Sequence, residues 1–157
     1  MLEQNREGLI TRTLMLATAL LYSTAGLAME TILGKWKQID DRTGQVRSIV
    51  EMVQEPDGTY TGVIIKRFPR PGMLDRCHEC PPPFTNQPID GLKLITGLKP
   101  SSGQERQYVD GRIIDPYTGK VYRMKAKVSP NGRTLSGRGY IGVSLLGRTQ
   151  TWLRADE

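Results

Sequence analysis

Histidine and cysteine are nearly missing from this chain, with one His and two Cys in 157 residues. A single imidazole, His78, beside Cys77 and Cys80 leaves a zinc site short of ligands, so no metal is expected. Blocks of Lys or Arg are also absent. The basic residues number 22 against 16 acidic ones, a net charge of +6, but they are scattered. That pattern excludes a nucleic-acid-binding tract and fits a soluble protein attracted to anionic surfaces or ligands. Apolar runs of membrane-spanning length are lacking as well, so no transmembrane segment is expected in the mature chain. From Gly34 onward there is no helical periodicity.

What is present begins with an export signal. Arg6 and Arg12 precede the apolar run Leu14 to Tyr22, too short for a bilayer but suited to a signal-peptide core. Small residues follow, and Gly26 and Ala28 fit the small-x-small rule, which places cleavage after Ala28. Residues 1–28 are thus read as a cleaved signal peptide and 29–157 as one β-barrel domain, exported to the periplasm or beyond the cell. No cysteine stands where a lipid anchor would need one. Glu3 and Glu7 dilute the basic leader, which points to a true start downstream of Met1; their charges cancel those of Arg6 and Arg12, so the mature chain keeps its +6.

Short alternating runs broken by Gly, Pro, Asp and Asn predict eight strands, at 34–39, 46–53, 59–67, 91–97, 107–114, 120–128, 134–142 and 148–154. Tyr122, Met124, Ala126 and Val128 face one way and Arg123, Lys125 and Lys127 the other. In the seventh strand Leu135, Gly137, Gly139, Ile141 and Val143 oppose Ser136, Arg138 and Tyr140. One face is buried and one solvated. Pro56-Asp57-Gly58 and Pro130-Asn131-Gly132 are hairpin turns. Residues 39–46 and 114–121 echo each other as two copies of one Gly-containing hairpin loop. The fold class is therefore all-β: an eight-stranded up-and-down antiparallel barrel, which closes its edges. A two-sheet sandwich is the alternative. In the barrel, loops 40–45, 68–90, 115–119 and 143–147 share one end, a candidate mouth. Long connections such as 68–90 are where function tends to sit.

Cys77-His78-Glu79-Cys80 is the most suggestive local sequence. In an oxidising compartment the pair reads first as a disulfide bracing its loop; a redox-active thiol pair and a metal site are the alternatives. Pro81-Pro82-Pro83 excludes the helix that reactive pairs usually precede, and the order is wrong for covalent haem. Ser144, His78 and the aspartates Asp40, Asp41 and Asp115 could be drawn as a triad, but no nucleophile elbow supports it, so no catalytic residue is expected. Trp36, Trp152 and Arg154 are read as a structural barrel floor, with the guanidinium stacked over an indole. Inward Gly111, Gly137 and Gly139 leave room for a cavity or permit sharp coiling. An inward Arg148 at the mouth suits bidentate capture of a carboxylate.

Taken together, Gly34-x-Trp36-x-x-x-Asp40-Asp41, Phe68-Pro69-Arg70-Pro71-Gly72, Cys77-x-x-Cys80, Asn86-Gln87-Pro88-Ile89-x-Gly91-Leu92 and Gly139-Tyr140-Ile141-Gly142-x-Ser144 through Trp152 resemble the bacterial domain-of-unknown-function family 2147. The resemblance runs from about 34 to 154. It implies an exported protein with a lipocalin-like barrel, and the Gly34-x-Trp36 opening with a basic residue closing the last strand is similar to the calycin pattern. The function expected is binding of a small, partly apolar or anionic molecule at the mouth, by Arg70, His78, Asn86, Tyr140, Ser144 and Arg148, without a cofactor. The alternatives are an envelope interaction or stress protein with a closed core and, third, a thiol-redox or hydrolytic enzyme.

Overall fold

A computed structural model describes residues 31–155. The expected leader, 1–28, and its cleavage site lie outside them. Eight strands follow in order: β1 Gly34–Ile39, β2 Val46–Gln54, β3 Tyr60–Arg67, β4 Lys93–Pro100, β5 Gln107–Ile114, β6 Val121–Val128, β7 Thr134–Tyr140 and β8 Arg148–Arg154. Each pairs antiparallel with the next, and β8 returns to β1 through Trp36↔Arg154 and Lys37↔Leu153, so the sheet is a closed barrel rather than a sandwich. Closure pairs what would otherwise be two free edges.

Alternation along the strands sets the interior. On β6, Met124, Ala126 and Val128 are buried while Arg123, Lys125 and Lys127 are exposed. Val50, Met52, Ile64, Leu98 and Leu135 join them in the core. Three inward glycines are filled by neighbours: a Cβ at Gly62, Gly111 or Gly137 would come within 2.9 Å of Met52 Sδ, 2.6 Å of Leu98 Cδ2 or 2.8 Å of Met124 Cε. Gly111 therefore receives a side chain rather than opening a cavity.

Two strands, β4 and β7, depart from the sequence expectation by more than one residue. β4 starts at Lys93, not 91, because Gly91 N–H donates to the Ile64 carbonyl and Leu92 N–H to Ile89, a turn that ends the preceding loop. It runs on to Pro100, paired with Tyr108. β7 ends at Tyr140, and at Gly142 the backbone turns left-handed (φ 70°). Ile141 and Val143, expected inward, are instead 66% and 60% exposed.

One end of the barrel is shut. Residues Thr31 to Leu33 cross it with Ile32 wholly buried, its N–H bonded to Tyr108 Oη at 3.1 Å and its carbonyl accepting Trp36 Nε1–H at 2.8 Å. Arg154 locks this segment. Its guanidinium carbon lies 4.0 Å from the Trp36 ring centroid, and it donates to the carbonyls of Gly132, Leu33 and Thr31. A charge-assisted donor with three fixed acceptors is a strong closure. Trp36, Trp152 and Arg154 are thus placed as follows: Trp36 and Arg154 in this plug, and Trp152 one layer further in.

Candidate functional site

The opposite end is built from four connections. Loops 40–45 and 115–120 are the same structure twice. In each, the first Asp N–H bonds to the carbonyl five residues on, its carbonyl accepts a glycine N–H, and its Oδ1 accepts a backbone N–H (Arg42 and Thr43 in one, Tyr117 in the other). Gly44 and Gly119 hold matching left-handed conformations, φ 68° and 69°, which glycine adopts without steric cost. These N–H donors, Arg42's foremost, hold the Asp40 carboxyl below its ordinary 3.8 despite some desolvation, with Arg47 assisting.

The long segment 68–90 is clamped beside them. The Arg67 side chain is only 7% exposed. It binds Asp90 in bidentate fashion (3.1 and 2.9 Å), Asp75 at 3.1 Å and the Leu74 carbonyl at 2.7 Å. That pairing holds Asp90 below its ordinary 3.8. The Cys77 and Cys80 sulfurs are at bonding distance, and Cys77 pairs through its backbone with Gln87 and Asn86. The tip of this loop then rests on the second hairpin: a Cβ at Gly119 would overlap the Glu79 carbonyl. Only glycine permits that approach.

Inside this rim is a cavity of about 800 Å³, within the range of small-molecule sites. Its depth is apolar, lined by Ile64, Leu94, Ile113, Tyr122, Met124 and Trp152. Gly137 and Gly139 lie along one wall, and a Cβ on Gly139 would make only ordinary contacts, 3.5 Å from Ile113. Polar groups on the wall are partly matched: Ser48 Oγ–H donates to Gln38 Oε1 at 2.8 Å, and Trp152 Nε1–H donates to Gln150 Oε1 at 3.3 Å. Around the mouth, Arg42, Arg47 and Arg148 stand among Asp40, Asp41 and Asp115. Arg67 also lines the cavity but is bound to Asp75 and Asp90, so three further guanidinium groups stand with three carboxylates and the collar is close to neutral. Arg47 lies 3.8 Å from Asp40 and its guanidinium carbon 5.3 Å from the Tyr117 ring centroid. Arg42 has no ion pair among the described residues.

Of the residues named from sequence, Arg148 and Tyr140 line the cavity. Arg148 Nη2–H donates to Asp41 at 2.7 Å, a bond from the start of β8 to the 40–45 loop in place of a fork aimed inward. Tyr140 carries the Arg123 guanidinium 5.6 Å from its ring. The other four stand off the lining. Ser144 sits on the loop after β7, its Oγ accepting from Lys125 Nζ at 3.1 Å. Arg70 is half-buried, its N–H against Met73 Sδ. His78 and Asn86 are exposed on the 68–90 segment, where Asn86 contributes its backbone to Cys77 and Arg76. Arg42, Arg47, Tyr117 and Gln150 were not anticipated. Arg42 and Tyr117 sit within hairpin turns, where alternation carries no signal, and Arg47 is the second residue of β2; Gln150 could have been found from its phase with Trp152.

Among the described residues no group of three or more His, Cys, Asp or Glu could hold a metal ion, and no helix is long and apolar enough to cross a membrane. The model of a family described as "Uncharacterized protein conserved in bacteria (DUF2147)" matches residues 34–154. No curated protein matches the chain. Among solved structures, protein HP1028 from Helicobacter pylori, described as belonging to the lipocalin family, superposes with a TM-score of 0.66 at 22% identity. The match covers 80% of this chain and 83% of that one. At that identity the likeness establishes the fold.

Proposed function

The chain belongs to the DUF2147 family, and from its one-ended lipocalin-like barrel we propose that it is an exported carrier of a small, partly apolar molecule held at the mouth. The observation that carries this reading is the cavity of about 800 Å³ with an apolar depth beneath a polar collar. A molecule of matching shape would place its hydrocarbon part against Ile64, Met124 and Trp152 and its polar head among Arg42, Arg47 and Gln150. The near-neutral collar favours a partly apolar ligand over a purely anionic one, since Arg47 and Arg148 are already paired with Asp40 and Asp41 and only Arg42 among the mouth arginines has no ion pair among the described residues. Space of this size also weighs against a barrel acting by its surface around a closed core. Export is supported by the signal-like leader and by the Cys77–Cys80 pair, whose bond suits an oxidising compartment.

Titration with the neutral fluorophore N-phenylnaphthylamine tests the proposal. Saturable one-to-one binding is expected, displaced by decanol and decanoate at similar concentrations. Native mass spectrometry of the purified protein should show the same stoichiometry. Absence of any saturable apolar binding would overturn the reading, and displacement by decanoate alone would move it to an anion carrier.

A further inference from the structure

The mouth carries a second feature that the cavity does not require. Between β7 and β8, Ile141, Val143, Leu145 and Leu146 are 66%, 60%, 87% and 83% exposed. Large aliphatic side chains clustered in this way on a surface mark an interaction site more often than a neutral one. Ile141 and Leu146 also touch the cavity rim, whereas Val143 and Leu145 do not.

This loop is fastened rather than slack. The Arg138 guanidinium donates to the Ser144 carbonyl at 2.6 Å, the Leu145 carbonyl at 3.0 Å and Thr149 Oγ1 at 2.8 Å. Lys125 Nζ reaches Ser144 Oγ. At its end, Gly147 lies against the Gly139 carbonyl and Tyr140 Cβ so closely that a side chain would not fit. The polar backbone is thereby turned towards the barrel and the aliphatic groups away from it.

Both cations beneath the tip bond to uncharged acceptors, and neither forms an ion pair among the described residues. They continue into a basic stretch of wall. Strands β5 to β7 carry Arg112, Arg123, Lys125, Lys127 and Arg138, with Asp110 their one carboxylate. Register places Arg112 beside Arg123 and Lys125 beside Arg138.

We propose that residues 141–147 and the adjoining basic wall form a docking surface for an anionic lipid bilayer. The aliphatic tip enters the boundary between headgroups and acyl chains, while Lys125, Arg138 and Arg123 face the phosphates. Apolar burial and attraction to anionic lipid act together in such interfacial binding. Charge decides against a second copy as the occupant, because it would bring the same basic wall and its own net +6. A projecting tip of four aliphatic side chains suits a fluid surface better than a shaped protein pocket. The inference stands apart from what fills the cavity.

Flotation of the purified protein with phosphatidylglycerol-containing vesicles, against vesicles of phosphatidylcholine alone, tests it. Association with the anionic vesicles is expected, weakening as salt rises. The double variant Val143→Ser/Leu145→Ser should lose about tenfold or more of that affinity, while N-phenylnaphthylamine binding is unchanged because neither residue lines the cavity. No association, equal association with neutral vesicles, or full retention in the double variant would each overturn the proposal. A dimer or an acidic-protein complex that forms through the tip without any lipid binding would do so too.

Discussion

The two ends of this barrel are made from the same eight strands and differ in what their connections do. At the shut end, Thr31 to Leu33 bring a buried Ile32 under Trp36, and Arg154 bonds three carbonyls across the opening. At the mouth, longer loops are fastened to one another around an open space of about 800 Å³. Arg154 and Arg67 show the difference in one residue type. Arg154 closes the barrel over an indole, whereas Arg67, on the cavity lining, is tied to Asp75 and Asp90 of the long loop. Bonds that close the barrel therefore concentrate at one end and open space at the other.

Substitutions should separate the ends. The largest effect is expected for Trp36→Ala, which removes a wholly buried indole and the platform under Arg154. A loss of about 3–5 kcal/mol is typical of such a truncation, against no more than about 0.5 kcal/mol for the mouth substitution Arg42→Ala. Denaturant unfolding of both variants measures the contrast. Comparable losses would dissolve the distinction between a structural end and a binding end.

Next in size is Gly119→Ala at the mouth. The added methyl meets the Glu79 carbonyl and a left-handed backbone (φ 69°), a strain of about 1–3 kcal/mol. Hydrogen exchange should quicken across 75–90 and stay unchanged in β1 and β8. Uniform acceleration would mean that the loop is not a separable part of the mouth.

Acid offers a reversible form of the same test. Pairing with Arg67 lowers the folded-state pKa of Asp90 below its ordinary 3.8. Its contribution is complete above 3.8 and is lost as pH falls through the lower folded value. Proteolysis within 68–90 is therefore expected to rise below pH 3.8 before the strands unfold, and Arg67→Ala should show that susceptibility already at neutral pH. A small effect is also expected for Arg148→Ala. Its side chain is 71% exposed and bonded to Asp41, and an exposed pair of this kind contributes about 0–1 kcal/mol. Thermal unfolding should barely change.

Much of the barrel was legible in the sequence because strand periodicity and turn chemistry are local. The alternation from Tyr122 to Val128 and the repeated Asp-to-Gly hairpins appear in the structure at the positions expected. Where a tertiary contact decides, local reading fell short. Ile141 and Val143 continue the pattern of β7, yet Gly142 and the bonds from Arg138 fold that stretch outward. The site was less readable than the fold. Residues named for their place in the long loop, such as His78 and Asn86, stand outside the cavity, because that loop contributes only Met73 and Ile89 and the rest of the wall comes from strands and hairpin turns distant in sequence. The glycines signalled space correctly at 139 and misleadingly at 111, where Leu98 fills the gap. Only the neighbour across the sheet distinguishes the two cases.

The central claim is that the apolar depth of the mouth, and no other part of the surface, receives the ligand. Gly139→Leu tests it most directly, since the side chain would project beside Ile113 and Tyr122 into the cavity from a backbone that accepts any residue. N-phenylnaphthylamine titration of this variant should show binding abolished or weakened by at least about tenfold, with the unfolding midpoint near that of the parent. Undiminished binding by a folded Gly139→Leu protein would contradict the account.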